Sequence, residues 1–116
     1  MFECLLPAPP TANHLFPTGR NGRRFRSTKY TAWIASARLA MEGQHKPGEP
    51  MTGRLWAEYR YSFKDKRKRD IANFEKAISD FLNEIGVFED DSQIDIMHLI
   101  REEPGGNSVF VTIKEI

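Results

Sequence analysis

Between Asp70 and Ile85 the residues Ile71, Phe74, Ile78, Phe81, Leu82 and Ile85 recur with a helical period, and no other stretch restricts the fold so tightly. A helix apolar along one stripe must bury that stripe against another layer. The spacing predicts a helix over 70–85, with Asp70 at its N-cap and Gly86 just past its end.

The partner layer is legible as strands. Residues 54–63 alternate strictly, with Leu55, Ala57, Tyr59, Tyr61 and Phe63 on one face and Arg54, Glu58, Arg60 and Ser62 on the other. Ile94, Ile96 and Ile100 alternate with Asp95, Met97 and Arg101, and Val109, Val111 and Ile113 with Phe110, Thr112 and Lys114. Pro104-Gly105-Gly106-Asn107 is expected to join these last two strands as a hairpin. Phe2–Leu6 reads as a first strand ended by Pro7, Pro9 and Pro10, and residues 7–27 as an irregular basic loop. Ser27 or Thr28 caps a second helix running to about Met41, stopped by Gly43 and followed by a linker from Gln44 to Pro50. The expectation is one α+β domain over 1–116: a mixed β-sheet with two helices in the order β-α-β-α-β-β. Phe74, Phe81, Trp33 and Trp56 are assigned to its core.

Several classes of function are disfavoured. Cys4 is the only cysteine, and His14, His45 and His98 are too dispersed for a local zinc pair. No apolar run approaches the roughly 20 residues that span a bilayer, so a cytoplasmic protein without membrane contact is expected. The net charge of +1 hides segregation. Residues 4–41 hold Arg20, Arg23, Arg24, Arg26, Lys29 and Arg38 and no acid. A second basic block, Lys64 to Arg69, precedes a C-terminal third rich in Asp80, Glu84, Glu89, Asp90, Asp91, Asp95, Glu102 and Glu103. Basic segments of this kind track phosphates while an acidic cluster holds a cation; solvated faces are the plainer alternative.

On the predicted helix, 100° steps place Ala72, Asn73, Lys76 and Asp80 opposite the apolar stripe, with Asp70 at the head of that polar face. Asp90-Asp91 falls in the turn after the helix, and a short connection can bring it beside Asp70. Gathered carboxylates offer oxygen ligands that suit Mg²⁺, with Mn²⁺ as a substitute, and a nearby lysine adds fixed charge. Such a set points to phosphodiester hydrolysis. Each feature alone is also ordinary: an Asp N-cap, a Lys76–Asp80 surface pair, an acidic turn.

The run from Lys66 to Leu82, containing Arg69-Asp70-Ile71-Ala72-Asn73-Phe74-Glu75-Lys76, followed by Gly86-Val87-Phe88-Glu89-Asp90-Asp91-Ser92-Gln93-Ile94, resembles the signature of the RusA family of Holliday-junction resolvases. Pro9-Pro10-Thr11-Ala12-Asn13 is similar to that family's opening segment. The resemblance implies a homodimeric, Mg²⁺-dependent endonuclease that nicks four-way junction DNA symmetrically, from a bacterium or a phage. It implies metal binding by Asp70 and Asp91, with Asp90 beside them, and a catalytic role for Lys76. DNA contacts are expected at Asn73, Lys66, Arg67, Lys68, Arg69, Arg20, Arg23 and Arg24. Ala72 stands where the family has a second helix carboxylate, so an impaired nuclease is expected. The alternatives are a junction-binding protein that does not cut and a general basic DNA-binding module.

Overall fold

Alternation in the sequence becomes alternation in burial. In the computed structural model, which describes residues 1–19 and 22–116, strands β1 (Phe2–Pro7), β2 (Leu55–Ser62), β3 (Ile94–Arg101) and β4 (Ser108–Glu115) form one sheet in the order β1-β4-β2-β3. Helices α1 (Thr28–Glu42) and α2 (Glu75–Glu84) share a core with the inward residues of three strands: Phe2, Cys4 and Leu6 of β1, Leu55, Ala57, Tyr59 and Tyr61 of β2, and Val109, Val111 and Ile113 of β4. Each large side chain fully buried there contributes about 1.5–3 kcal/mol relative to exposure. The element order is the expected β-α-β-α-β-β. Among the described residues no helix is long and apolar enough to cross a membrane.

The expected hairpin between the last two strands does not exist. β2 lies between β3 and β4, pairing with β3 in parallel and with β4 antiparallel, while β4 also pairs antiparallel with β1. The glycines of 102–107 are used for a crossing. To reach β4 from β3 the chain must pass the end of β2 and span two inter-strand spacings, about 10 Å, which a tight hairpin turn cannot do. The crossing is fastened where it passes: Gly105 N–H donates to Phe63 O, Ser62 Oγ donates to Glu103 O at 2.7 Å and accepts from Gly106 N–H at 3.0 Å.

Two further departures have local causes. The predicted helix 70–85 begins as a 3₁₀ turn, Ile71–Phe74, and is α-helical only over Glu75–Glu84. Asp70 caps the turn by accepting Ala72 N–H on its side chain at 3.1 Å, and its carbonyl takes Asn73 N–H at 3.1 Å, the tight i to i+3 pattern. Gly86, at φ 86, closes the helix as expected. In β3 the register slips by one residue opposite Leu55 and Trp56, leaving Asp95 as the extra residue, clamped by Arg54 Nε at 3.0 and 3.1 Å. Met97 and Leu99 then pack on the core, while Ile96 and His98 face outward. Trp56, assigned above to the core, lies half-buried on that outer face, with His98 5.3 Å from its ring and Lys114 Nζ 4.4 Å above it.

A Cβ at position 106 would stand 2.9 Å from both Ser62 Oγ and Ser108 Oγ and 3.2 Å from Ser62 Cβ. Gly106→Ala is therefore expected to cost about 1–3 kcal/mol in urea unfolding with an unchanged m-value. Parent-like stability would show that the crossing is not seated on β2.

Candidate functional site

β2 leaves the sheet at Ser62, and the chain from Phe63 onward rises as a basic ridge whose shape is set by Asp65 and Arg69. Arg67 N–H donates to Asp65 Oδ1 at 3.0 Å, and Arg69 Nη2 lies 2.8 Å from the same carboxylate. Arg69 Nη1 also donates to the carbonyls of Asp65 and Arg67, both at 3.2 Å, and its guanidinium lies 4.8 Å above the buried Phe63 ring. With a side chain only 15% exposed, Arg69 is committed to building the ridge. The Arg67 side chain is 74% exposed, with Nη2 3.5 Å from the Asp65 carboxylate. Lys64, Lys66 and Lys68 are exposed and make no ion pair among the described residues. The Arg67 N–H, and after it Arg69, hold the Asp65 carboxyl below its usual pKa of 3.8.

Asp70 follows immediately and is exposed, as are Ala72, Asn73 and Lys76. Because 71–74 is a 3₁₀ turn, the α-helical wheel does not extend back to Ala72, and the predicted continuous polar face is broken at Phe74. Lys76 Nζ pairs with Asp80 at 3.2 Å, one turn further along the helix. Glu75, which carries no signal in the sequence pattern, turns toward Ser79. It accepts from Ser79 Oγ at 2.5 Å, and Ser79 Oγ meets the buried Tyr59 hydroxyl at 2.8 Å. Burial drives that phenol far above its usual pKa against the Ser79 hydrogen bond, and the charges of Glu75 and Asp91 add to the rise. Tyr59 is thus the common electrostatic neighbour of the start of α2 and of the acidic turn. Beside it the buried Tyr61 hydroxyl has no hydrogen-bond partner among the described residues.

The acidic turn is held by two amides that sequence reasoning missed. Asn83 Nδ2 donates to Phe88 O at 3.1 Å and Glu89 O at 2.7 Å. Gln93, 8% exposed, accepts Glu89 N–H and Asp90 N–H at 2.9 and 2.8 Å and donates to Met51 O and Gly53 O, both at 2.9 Å. A buried amide with all these partners is a strong positional anchor. Its only sequence signal was a polar residue directly preceding an apolar strand. Asp90 is engaged within the turn: Ser92 Oγ donates to it and, ahead of the backbone N–H groups, lowers its pKa. Asp91 is exposed.

Among the described residues no three His, Cys, Asp or Glu side chains gather as a metal cage. Asp70, Asp90 and Asp91 therefore do not converge as a triad. Asp70 and Asp91 remain exposed oxygen donors, which fits a Mg²⁺-like cation held by one or two carboxylates that keeps several waters. The Ala12–His14 turn of the Pro9–Asn13 segment packs beside Ile71–Phe74, which brings the N-terminal loop to the site. Arg23 and Arg24 are exposed in that loop, where Thr18 and Arg24 form an isolated bridge and the Arg24 guanidinium lies 4.8 Å over Phe16. Arg20 lies outside the described residues.

A family model described as Endodeoxyribonuclease RusA matches residues 7–114. The chain is also 28% identical over 110 residues to a crossover junction endodeoxyribonuclease RusA of Aquifex aeolicus (strain VF5), covering 94% of this chain and 85% of that protein.

Gln93→Leu should cost about 1–3 kcal/mol and release the acidic turn, since four backbone groups lose their partner. Urea titration and amide exchange at Glu89 and Asp90 measure both effects, and protection equal to the parent's would remove Gln93 as the anchor. Because the folded Asp65 pKa is depressed, its contribution to the ridge is complete above the usual 3.8 and fades as pH falls below it. Relative to its random-coil rate, the Arg67 amide should be protected at about pH 5 and unprotected at about pH 2. Equal protection at the two pH values would contradict this.

Proposed function

Because the chain belongs to the RusA family of endodeoxyribonucleases, we propose that it binds four-way DNA junctions as a homodimer and acts on the phosphodiester backbone through a site that Ala72 has weakened. The observation that carries this reading is the order along one short stretch: a cationic ridge internally braced by Asp65, then Asp70 capping a tight turn, then Lys76 on the first turn of α2. Phosphates attracted by Lys66, Arg67 and Lys68 are delivered to the residues that carry chemistry. Arg23 and Arg24 add charge from the N-terminal loop.

Asp70 and Asp91 are the carboxylates assigned to Mg²⁺, with Mn²⁺ as a substitute. Bound there, the cation would supply Lewis acidity and a more acidic water. Lys76 contributes fixed positive charge to the phosphate undergoing attack, and its pairing with Asp80 restrains the ammonium until DNA competes for it. Asn73 orients a phosphate oxygen or a ligand carboxylate. Asp90, engaged by Ser92, is assigned to hold the turn that presents Asp91. A homodimer supplies two sites related by symmetry, which paired nicks in strands of like polarity require.

A second reading, junction binding without cutting, is favoured by one observation: a methyl group occupies position 72, and no three-ligand group forms among the described residues. Incubating the parent and Ala72→Asp with a labelled four-way junction in Mg²⁺ separates the two. Outer-shell changes around metals already cost 10–100-fold, so restoring a direct ligand should raise paired nicking by more than about 100-fold, with junction affinity in chelator nearly unchanged. Equal cleavage by both forms would remove position 72 from the metal site. No preference for junction over duplex would defeat the proposal.

A further inference from the structure

The basic ridge has two unlike flanks. On one side, an open groove of about 470 Å³ runs between the ridge and α1, lined by Lys29 and Ser36 of the helix, Lys64, Arg67 and Arg69 of the ridge, and Asn107. Pro9 and Pro10 line it too, and no acid among the described residues does. On the other side, a hollow of about 350 Å³ is lined by Asp65, Glu102 and Glu103 as well as Lys66 and Arg101. Arg67 borders both.

We propose that the groove between α1 and the ridge is the track for one DNA strand, gripping its phosphodiester backbone, and that on the other flank Asp65, Glu102 and Glu103, which offset Lys66, Arg67 and Arg101, turn DNA away. The inference rests on the DNA-binding reading above and adds a path and a polarity to it. Lys29 and Lys64 are exposed and make no ion pair among the described residues, so their charges are available to phosphates. Arg69 is committed to Asp65 and braces the wall. The Ser36 hydroxyl and the Asn107 amide add neutral donors.

The groove selects backbone over base because its aromatic residues are covered. Trp33 is 6% exposed with its Nε1–H bonded to Pro7 O at 2.9 Å. The buried Phe63 ring carries the guanidiniums of Arg69 and Arg101 at 4.8 and 5.8 Å. Neither ring offers a free face for an unstacked base. Across the ridge, Glu102 and Glu103 would stand against phosphates, and Glu102 is paired at 3.4 Å only with Arg60.

The test is a salt titration of affinity for a labelled four-way junction and for a matched duplex, without metal, using the parent, Lys29→Gln/Lys64→Gln and Glu102→Gln/Glu103→Gln. All four positions are exposed, so melting temperatures should match the parent's. Two lost phosphate contacts should flatten the slope of log K against log salt by about 1.8 for the lysine pair, whereas the glutamate pair should steepen it, because phosphates then gain access to Lys66 and Arg101. An unchanged slope for the lysine pair overturns the track while leaving junction binding intact. A slope left unchanged by the glutamate pair shows that these acids do not turn DNA away and overturns the polarity. If the parent binds junction and duplex equally yet the lysine pair flattens the slope, the track stands and the junction reading falls; no DNA binding by the parent defeats both.

Discussion

β2 is hydrogen-bonded along both edges, and the placement of the ridge and of the start of α2 follows from that. A strand with two neighbours has no freedom to shift its register, because a slip of one residue would turn Tyr59 and Tyr61 out of the core. The chain that leaves it at Ser62 therefore starts from a fixed point. Phe63 continues the burial, Arg69 folds back over its ring, and Asp70 emerges at a defined place. On the helix side, the Tyr59–Ser79–Glu75 relay ties the same strand to the first turns of α2. Ridge and helix start are thus two ends of one loop braced against one strand.

The electrostatics of the loop divide binding from chemistry. Asp65 neutralises part of the ridge from within, spending its charge on Arg69 and leaving the lysines for solvent. The candidate carboxylates Asp70 and Asp91 are exposed, outside this internal pairing. Ala72 carries no charge, and the exposed lysines of the ridge make no ion pair with the candidate carboxylates among the described residues, so the proposed phosphate contacts and the proposed metal ligands can be altered independently.

Periodicity made much of the architecture legible. Alternation at 54–63 and 109–113 and the stripe on 74–82 are local patterns imposed by one buried face, and each appears in the fold. What periodicity cannot encode is which strand lies beside which. Pro104-Gly105-Gly106-Asn107 has the chemistry of a turn in either a hairpin or a crossing, and only the pairing of β2 with both neighbours decides between them. The 3₁₀ start of the second helix was hidden for a similar reason, since Ile71 and Phe74 satisfy a period of three as well as 3.6. At the site, Asp70, Lys76 and the acidic turn could be named from residue type and order. Glu75, Asn83 and Gln93 could not, because their roles are set by partners that only the folded chain presents: Ser79 below the Tyr59 hydroxyl, the carbonyls of the turn after α2, and those of Met51 and Gly53.

β4 is the last strand in the chain but an inner strand of the sheet, bonded to β1 on one side and β2 on the other. Phe2 meets Ile113 and Leu55 meets Glu115, so two ladders wait for the same C-terminal segment. Closing contacts of such sequence separation is slow, because the loop entropy is spent before the contacts form. As the chain is synthesised, β1 and the β4 edge of β2 stay unpaired until the final strand is free. Until then the only strand pairing available is the parallel one between β2 and β3, which already contains the ridge, the capped turn and the acidic turn. The candidate site can thus assemble around an incomplete sheet, and the last strand to arrive locks it in place.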